Sequence, residues 1–462
     1  MPIMAIMRFA FILFGLLLPS VAWATAEGLP EPLGLTRTGL GLLALGLFIA
    51  AYLLVAIEEF IDLKKSKPVI LAAGLIWIIV AILIAQHSPN AREELDLMVQ
   101  HNLAEYAALF LFLLVAMTYI NAMTERNVFE ALRATLVSRS FSYKQLFWIT
   151  GIIAFFLSPI ADNMTTALLM GAVVMSLGKH NSRFVGVACV NIVVAANAGG
   201  AFSPFGDITT LMVWQSLHVS FFEFFRLFLP SVVNYLIPAF IMSFALPNAH
   251  PEPETARLEL KRGAFVICAL FICTIITAVC FEQFLGLPPF LGMMTGLSYL
   301  FFYAQYVRMT SPEGHEDFVE FNVFNKVAQA EWDTLFFFFG VMFCVGGLGY
   351  IGYLEILSHF LYEGMGATTA NISMGVISAV VDNIPVMFSV LTMEPDMSKY
   401  QWLLITLTTG VGGSLLSIGS AAGVALMGQA RGVYTFFSHL KWSWAVGLGF
   451  VASVYCHYLL GG

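Results

Sequence analysis

Twelve apolar runs succeed one another beyond residue 37. They lie near 39–60, 67–86, 104–122, 145–178, 184–217 and 222–246, then near 263–284, 288–304, 333–353, 366–394, 401–430 and 442–460. Each is long enough to cross or re-enter a bilayer. With 59% hydrophobic and 11% charged residues and a mean hydropathy of +0.85, the chain cannot hide these runs in one soluble core. It reads as an all-α polytopic membrane protein.

The two series of six align in order. The Pro68 entry matches the Pro289 entry, Glu105-Tyr106 matches Glu331-Trp332, Asp162-Asn163 matches Asp382-Asn383, and Gly199-Gly200 matches Gly412-Gly413. Offsets this steady, close to 220 residues, indicate a duplicated unit. The reading divides the chain into a first repeat over 38–246, a cytoplasmic linker over 247–262 and a second repeat over 263–460. Upstream, Arg8, an apolar stretch and Val21-Ala22-Trp23-Ala24 make residues 1–24 either a signal peptide or an extra span.

Lys and Arg collect in cytoplasmic loops. Clusters at Lys64/Lys65/Lys67, Arg126/Arg133/Arg139/Lys144, Lys179/Arg183, Arg257/Lys261/Arg262, Arg308/Lys326 and Arg431/Lys441, with Arg8, put most basic residues on one side, leaving Arg37, Arg92, Arg226 and Lys399. That is consistent only if the runs at 145–178 and 366–394 enter and leave on the same side, as re-entrant hairpins. Each half then has five spans and one hairpin, the second half is inverted relative to the first, and the C-terminus is periplasmic. Inverted repeats with interrupted helices are the signature of secondary transporters.

Inside these runs lie residues lipid does not tolerate. Asp162-Asn163 follows Pro159 in SPIADNMTTAL, and Asp382-Asn383 precedes Pro385 in SAVVDNIPVMF. Proline interrupts the helix, so both pairs are expected at hairpin tips. The fifth run of each half is broken by glycines, in NAGGAFSPFGDITTL (184–217) and TTGVGGSLLSIGSAAG (401–430). Asn197, Asp207, Thr209 and Thr210 in the first break, and Ser414, Ser417 and Ser420 in the second, offer oxygens to a shared cavity; Ser420 stands where the first half has Asp207. Carboxylates, amides and freed backbone carbonyls suit a small hard cation. Asn163 and Asn383 could alternatively cap the half-helices that follow them.

Asp162, Asp207 and Asp382 together cost on the order of 8 to 10 kcal/mol if ionised and unpaired in the membrane. No Lys or Arg lies in their segments. They must therefore hold protons or cations, and competition between the two is enough for exchange. Other polar positions are read as ordinary: Glu58, Glu59 and Asp62 as interfacial, Glu105, Glu331 and Asp333 as openers of the third span of each half, and His101, His180, His218, His315, His359 and His439 as mostly solvated. The loop at 305–332 is read as an amphipathic surface helix. The six cysteines, Cys189, Cys268, Cys273, Cys280, Cys344 and Cys456, are read as small buried hydrophobes, and no cofactor is expected.

The strings SPIADNMTTALLMG, NAGGAFSPFGDITT, SAVVDNIPVMF and GVGGSLLSIGSAAGVALMG resemble the NhaD-type sodium/proton antiporters of the ion transporter superfamily, a likeness covering nearly everything after residue 37. The resemblance implies Na⁺ and Li⁺ efflux in exchange for protons across a bacterial inner membrane, most active at alkaline pH, by a homodimer. It also implies roles in ion binding or transport for Asp162, Asn163, Asn197, Asp207, Thr209, Thr210, Asp382, Asn383, Ser417 and Ser420. A dicarboxylate symporter of the same fold is disfavoured because the tip aspartates would repel its substrate. An arsenite exporter is disfavoured because this chain has no cysteine near either tip for thiol-assisted recognition. An intramembrane aspartyl protease would need Gly-x-Gly-Asp, whereas Pro204-Phe205-Gly206 precedes Asp207. The interrupted helices favour alternating access over a passive channel.

Overall fold

The computed structural model describes residues 30–461 except 57, 62, 138–140, 179–180, 247–248, 251–259 and 311–320. The expectations for residues 1–24, for most of the 247–262 linker and for the middle of the 305–332 loop fall outside the described residues. Those described form helices and connecting turns, with no strand among them. Among the described residues, eight helices have the length and apolar character to cross a membrane, including Ser66–His87, Ala91–Glu125, Ala264–Leu285 and Trp332–Ile351. Leu42, Leu53, Phe265, Phe302 and Tyr455 point outward, as lipid-facing side chains do.

Packing joins the two series of helices in a crossed pattern. Ser66–His87 lies against Trp332–Ile351, and the corresponding Pro289–Thr310 lies against Ala91–Glu125. The last helix of each series, Phe228–Ser243 and Ser443–Gly461, pack on one another. Close approach depends on glycine: a Cβ on Gly340 would meet Val69 and Ile70 of the neighbouring helix.

The four interruptions fall where glycine, proline and aspartate stand. Helix Tyr143–Ala161, started by a Ser142/Gln145 capping box, ends at Asp162, whose φ of 59° turns the chain before helix Asn163–Leu177 begins. These two arms form the first hairpin. The second hairpin pairs Ala367–Ile377 with Asn383–Met393 across residues 378–382. The first broken helix is Ser182–Gly200 followed by Ile208–Gln215, and the second is Lys399–Gly412 followed by Ala421–Gln429.

Each broken helix fits its hairpin through glycine. A Cβ on Gly199 would run into the carbonyl of Phe155, and one on Gly412 into the carbonyl of Gly375. Within the breaks, Gly200 abuts the carbonyl of Gly206 and Gly413 that of Gly419, where a Cβ would sit 2.5 and 2.7 Å from the oxygen. Ser158 donates to Ala196 O at 2.7 Å, and its counterpart Ser378 donates to Thr409 O at 3.0 Å. The breaks are thus braced by hydroxyls from the hairpins, which add to the last backbone hydrogen bonds of the interrupted helices, such as Gly413 N to Thr409 O at 3.3 Å.

Several expectations change. The third helix starts at Ala91 rather than near 104, so Glu105 lies within it, exposed beside His101 at 3.5 Å, and does not open it. Its polar first turns, with Glu93, Glu94 and Asp96, hid the helix from a search for apolar runs. Asp333 accepts a hydrogen bond from Ser66. Cys189 and Cys344 are buried, but Cys273 is exposed and Cys268, Cys280 and Cys456 are half-buried, because they sit toward the outer faces of their helices. Among its described residues, the 305–332 loop has the end of Pro289–Thr310 and a short helix Val323–Ala328, whose buried Lys326 pairs with Glu125 at 2.7 Å.

Candidate cation site

The hairpin tips and the two breaks meet at one buried polar cluster. At its centre is Asp207, 3% exposed, the N-cap of Ile208–Gln215. Its Oδ1 accepts from the Thr209 amide at 3.0 Å. Asn163 Nδ2, from the first tip, donates to Asp207 Oδ2 at 3.0 Å; Asn383 Nδ2, from the second tip, donates to both carboxylate oxygens at 3.1 and 3.3 Å. Asn163 Nδ2 also reaches Asn197 Oδ1 at 3.0 Å, and Asn197 Nδ2 donates to Ser420 Oγ at 2.9 Å. A continuous chain of side chains therefore joins Ser420, Asn197, Asn163, Asp207 and Asn383, all buried.

The local reason lies in the interruptions. Asp207 and Ser420 occupy the same place, the first residue before each resumed half-helix, with extended backbones of φ −146° in both. Each side chain accepts from its own half-helix, Asp207 from Thr209 N and Ser420 from Gly423 N at 3.3 Å. This capping satisfies exposed amides and aims negative or oxygen-rich groups at the helix N-terminus, where they are favoured.

The aspartates of the tips sit differently from their asparagines. Asp162 caps Asn163–Leu177, its two oxygens taking Thr165 N at 2.8 Å and Thr165 Oγ1 at 2.7 Å. Asp382 accepts from Ile384 N at 3.3 Å. Both are half-buried, and each is next in sequence to the asparagine that reaches Asp207. Capping therefore falls to the aspartates, not to Asn163 and Asn383, which cross to the other elements.

The remaining expected residues divide. Thr210 Oγ1 holds the first break together, donating to Ser203 O at 2.8 Å and Asp207 O at 2.6 Å. Ser414 donates to Val411 O at 2.6 Å. Thr209 Oγ1 is buried beside Asp207, and Ser417 Oγ is buried with no hydrogen-bond partner among the described residues.

Sequence reasoning missed Ser158 and Ser378, ordinary serines in apolar helices, though each precedes its tip Asp by four residues. It also missed His439. Expected to be solvated, His439 is fully buried, because Phe436–Leu440 folds back onto the second break.

A helical membrane protein whose interrupted helices bring a buried carboxylate and amides to one point is built as a secondary transporter, not as an enzyme. Residues 9–410 match a protein-family model described as Citrate transporter. The chain is 56% identical over 446 residues, 92% of each protein, to Na(+)/H(+) antiporter NhaD of Alkalimonas amylolytica. It is 52% identical to Na(+)/H(+) antiporter NhaD of Vibrio cholerae, with 98% of each covered. Against Sodium/proton antiporter 2 of Arabidopsis thaliana the identity is 29%, over 88% of this chain and 97% of the plant protein. The chain belongs to the NhaD family of sodium/proton antiporters, and its family model places it among the citrate transporter group.

Proposed function

We propose that this antiporter exchanges Na⁺ and Li⁺ for protons at the Asp207 cluster, by alternating access between two inverted repeats, 38–246 and 263–460. The observation that carries the reading is the convergence of both tip amides, Asn163 and Asn383, on one buried carboxylate. In the cation-bound state Asp207 supplies the charge, while Asn163, Asn197, Asn383, Ser417, Ser420 and Thr209 supply neutral oxygens. Thr210 and Ser414 hold the two breaks in shape. Asp162 and Asp382, half-buried beside the centre, carry protons to and from it.

The inverted arrangement is supported by the crossed helix packing and by the matching braces of Ser158 and Ser378. Re-entrant tips are supported by the turns at Asp162 and Asp382 within otherwise apolar runs. The basic residues favour a periplasmic C-terminus, and the resemblance favours a bacterial inner membrane and a homodimer that works without a cofactor.

The family description raises an anionic substrate as the second reading. Asp207, with Asp162 and Asp382 close by, would repel a carboxylate. The test is a pH-gradient dequenching assay in everted vesicles, with Na⁺, Li⁺, K⁺, succinate and citrate added in turn. Na⁺ and Li⁺ are expected to dissipate the gradient, and K⁺ and the carboxylates to leave it. A response to citrate or succinate without one to Na⁺ would overturn the proposal.

A further inference from the structure

We propose that His439 is a positioning residue for the cation site, holding the second break in place through the backbone carbonyl of Ser414. The inference rests on the cation-site reading above. The break between Gly412 and Ala421 leaves carbonyls without intrahelical partners in a mostly buried stretch, where Ser414, Ser417 and Ser420 are buried and Leu415, Leu416 and Ile418 half-buried. The Ser414 carbonyl meets His439 Nε2 at 2.8 Å. A carbonyl only accepts, so Nε2 carries the proton. Nδ1 of the neutral ring is then bare and accepts from the Tyr434 hydroxyl at 2.7 Å. Both ring nitrogens are thus assigned, and the tautomer is fixed by its two neighbours.

The anchor reaches the site by a short path. Ser414 precedes Ser417, whose hydroxyl is buried without a partner, and Ser420, which accepts from Asn197. The His439 helix, Phe436–Leu440, begins with a Thr435/Ser438 capping box and packs on Ser182–Gly200, the helix that carries Asn197. His439 therefore fixes the second break relative to the first. The aligned positions of the first half hold no such pair: at the offset that pairs Asp207 with Ser420, His439 corresponds to Arg226, which is exposed, and Ser414 to Ala201. The half whose break contributes hydroxyls in place of a carboxylate is the one held from outside.

Four variants of the full-length chain, in proteoliposomes with an internal pH dye and Na⁺ as the probe, test the assignment. His439→Gln keeps an N–H at the distance of Nε2 and is expected to hold the Na⁺ half-saturation within about twofold of wild type. His439→Phe fills the space without a donor and leaves the Ser414 carbonyl unpaired. Half-saturation should rise on the order of tenfold, with a smaller change in maximal rate. His439→Asn, whose amide overlays Nδ1 and falls short of Ser414, should resemble Phe and serves if the Phe variant fails to insert. Tyr434→Phe should give a smaller rise than His439→Phe. Wild-type half-saturation in the Asn and Phe variants, or a Gln variant as impaired as they are, would overturn the assignment. A wild-type protein with no Na⁺ response would instead remove the cation-site reading beneath it.

Discussion

Asp207 is the residue on which the site turns, because it receives donors from three elements: Thr209 of its own half-helix and the tip amides Asn163 and Asn383. In a dry interior these charge-assisted bonds orient the carboxylate, and removing the charge leaves three donors facing a neutral amide. Asp207→Asn is expected to abolish Na⁺-driven proton movement in everted vesicles, at least about a hundredfold, while the protein stays in the membrane. Asp162→Asn and Asp382→Asn should abolish it as well, by removing proton carriers. Asn163→Ala and Asn383→Ala should leave exchange measurable but raise Na⁺ half-saturation several-fold to about tenfold. Wild-type activity in all three Asp→Asn variants would dispose of the ion-site assignment.

The hairpins and broken helices act as fitted pairs, and glycine does the fitting. A methyl group on Gly199 collides with the backbone of Phe155, and one on Gly412 with the backbone of Gly375; neither carbonyl can swing aside as a side-chain end would. Gly199→Ala and Gly412→Ala are each expected to separate a broken helix from its hairpin, costing about 1 to 3 kcal/mol of stability and most of the transport. Gly74→Ala, at a position with nothing within 4 Å, is the control and should be silent. Thermal unfolding in detergent, followed by size-exclusion fluorescence, reads the difference. Much at this scale was legible in the sequence, since proline and glycine punctuate apolar runs in few ways: all twelve runs contain helices, and the interruptions fall at Asp162, Asp382 and the two glycine clusters. What escaped has a physical reason. The polar start of Ala91–Glu125 carries no hydropathy signal, and a buried histidine such as His439 looks like a solvated one until the chain folds over it. The exchange of roles between each Asp and its neighbouring Asn depends on side-chain direction, which residue type alone does not give.

In the molecule as a whole, two similar halves meet around an unequal centre: one break brings a carboxylate, the other a serine at the same place. On the proposed reading, Asp207 between two sets of neutral oxygens holds one monovalent cation at a time and takes up a proton when the cation leaves. Na⁺ and H⁺ then compete for one site, and cation ligands must be deprotonated to bind. The sign follows directly. As pH falls, protons occupy the site, and the apparent half-saturation for Na⁺ rises by up to about tenfold per pH unit, while the rate at saturating Na⁺ holds steady. As pH rises the half-saturation falls to a plateau set by the cation alone. Flux measured at several Na⁺ concentrations between about pH 7 and 9 in proteoliposomes separates this from a two-site scheme, in which maximal rate would change with pH at constant half-saturation. Li⁺ should show the same pattern, since it meets the same oxygens.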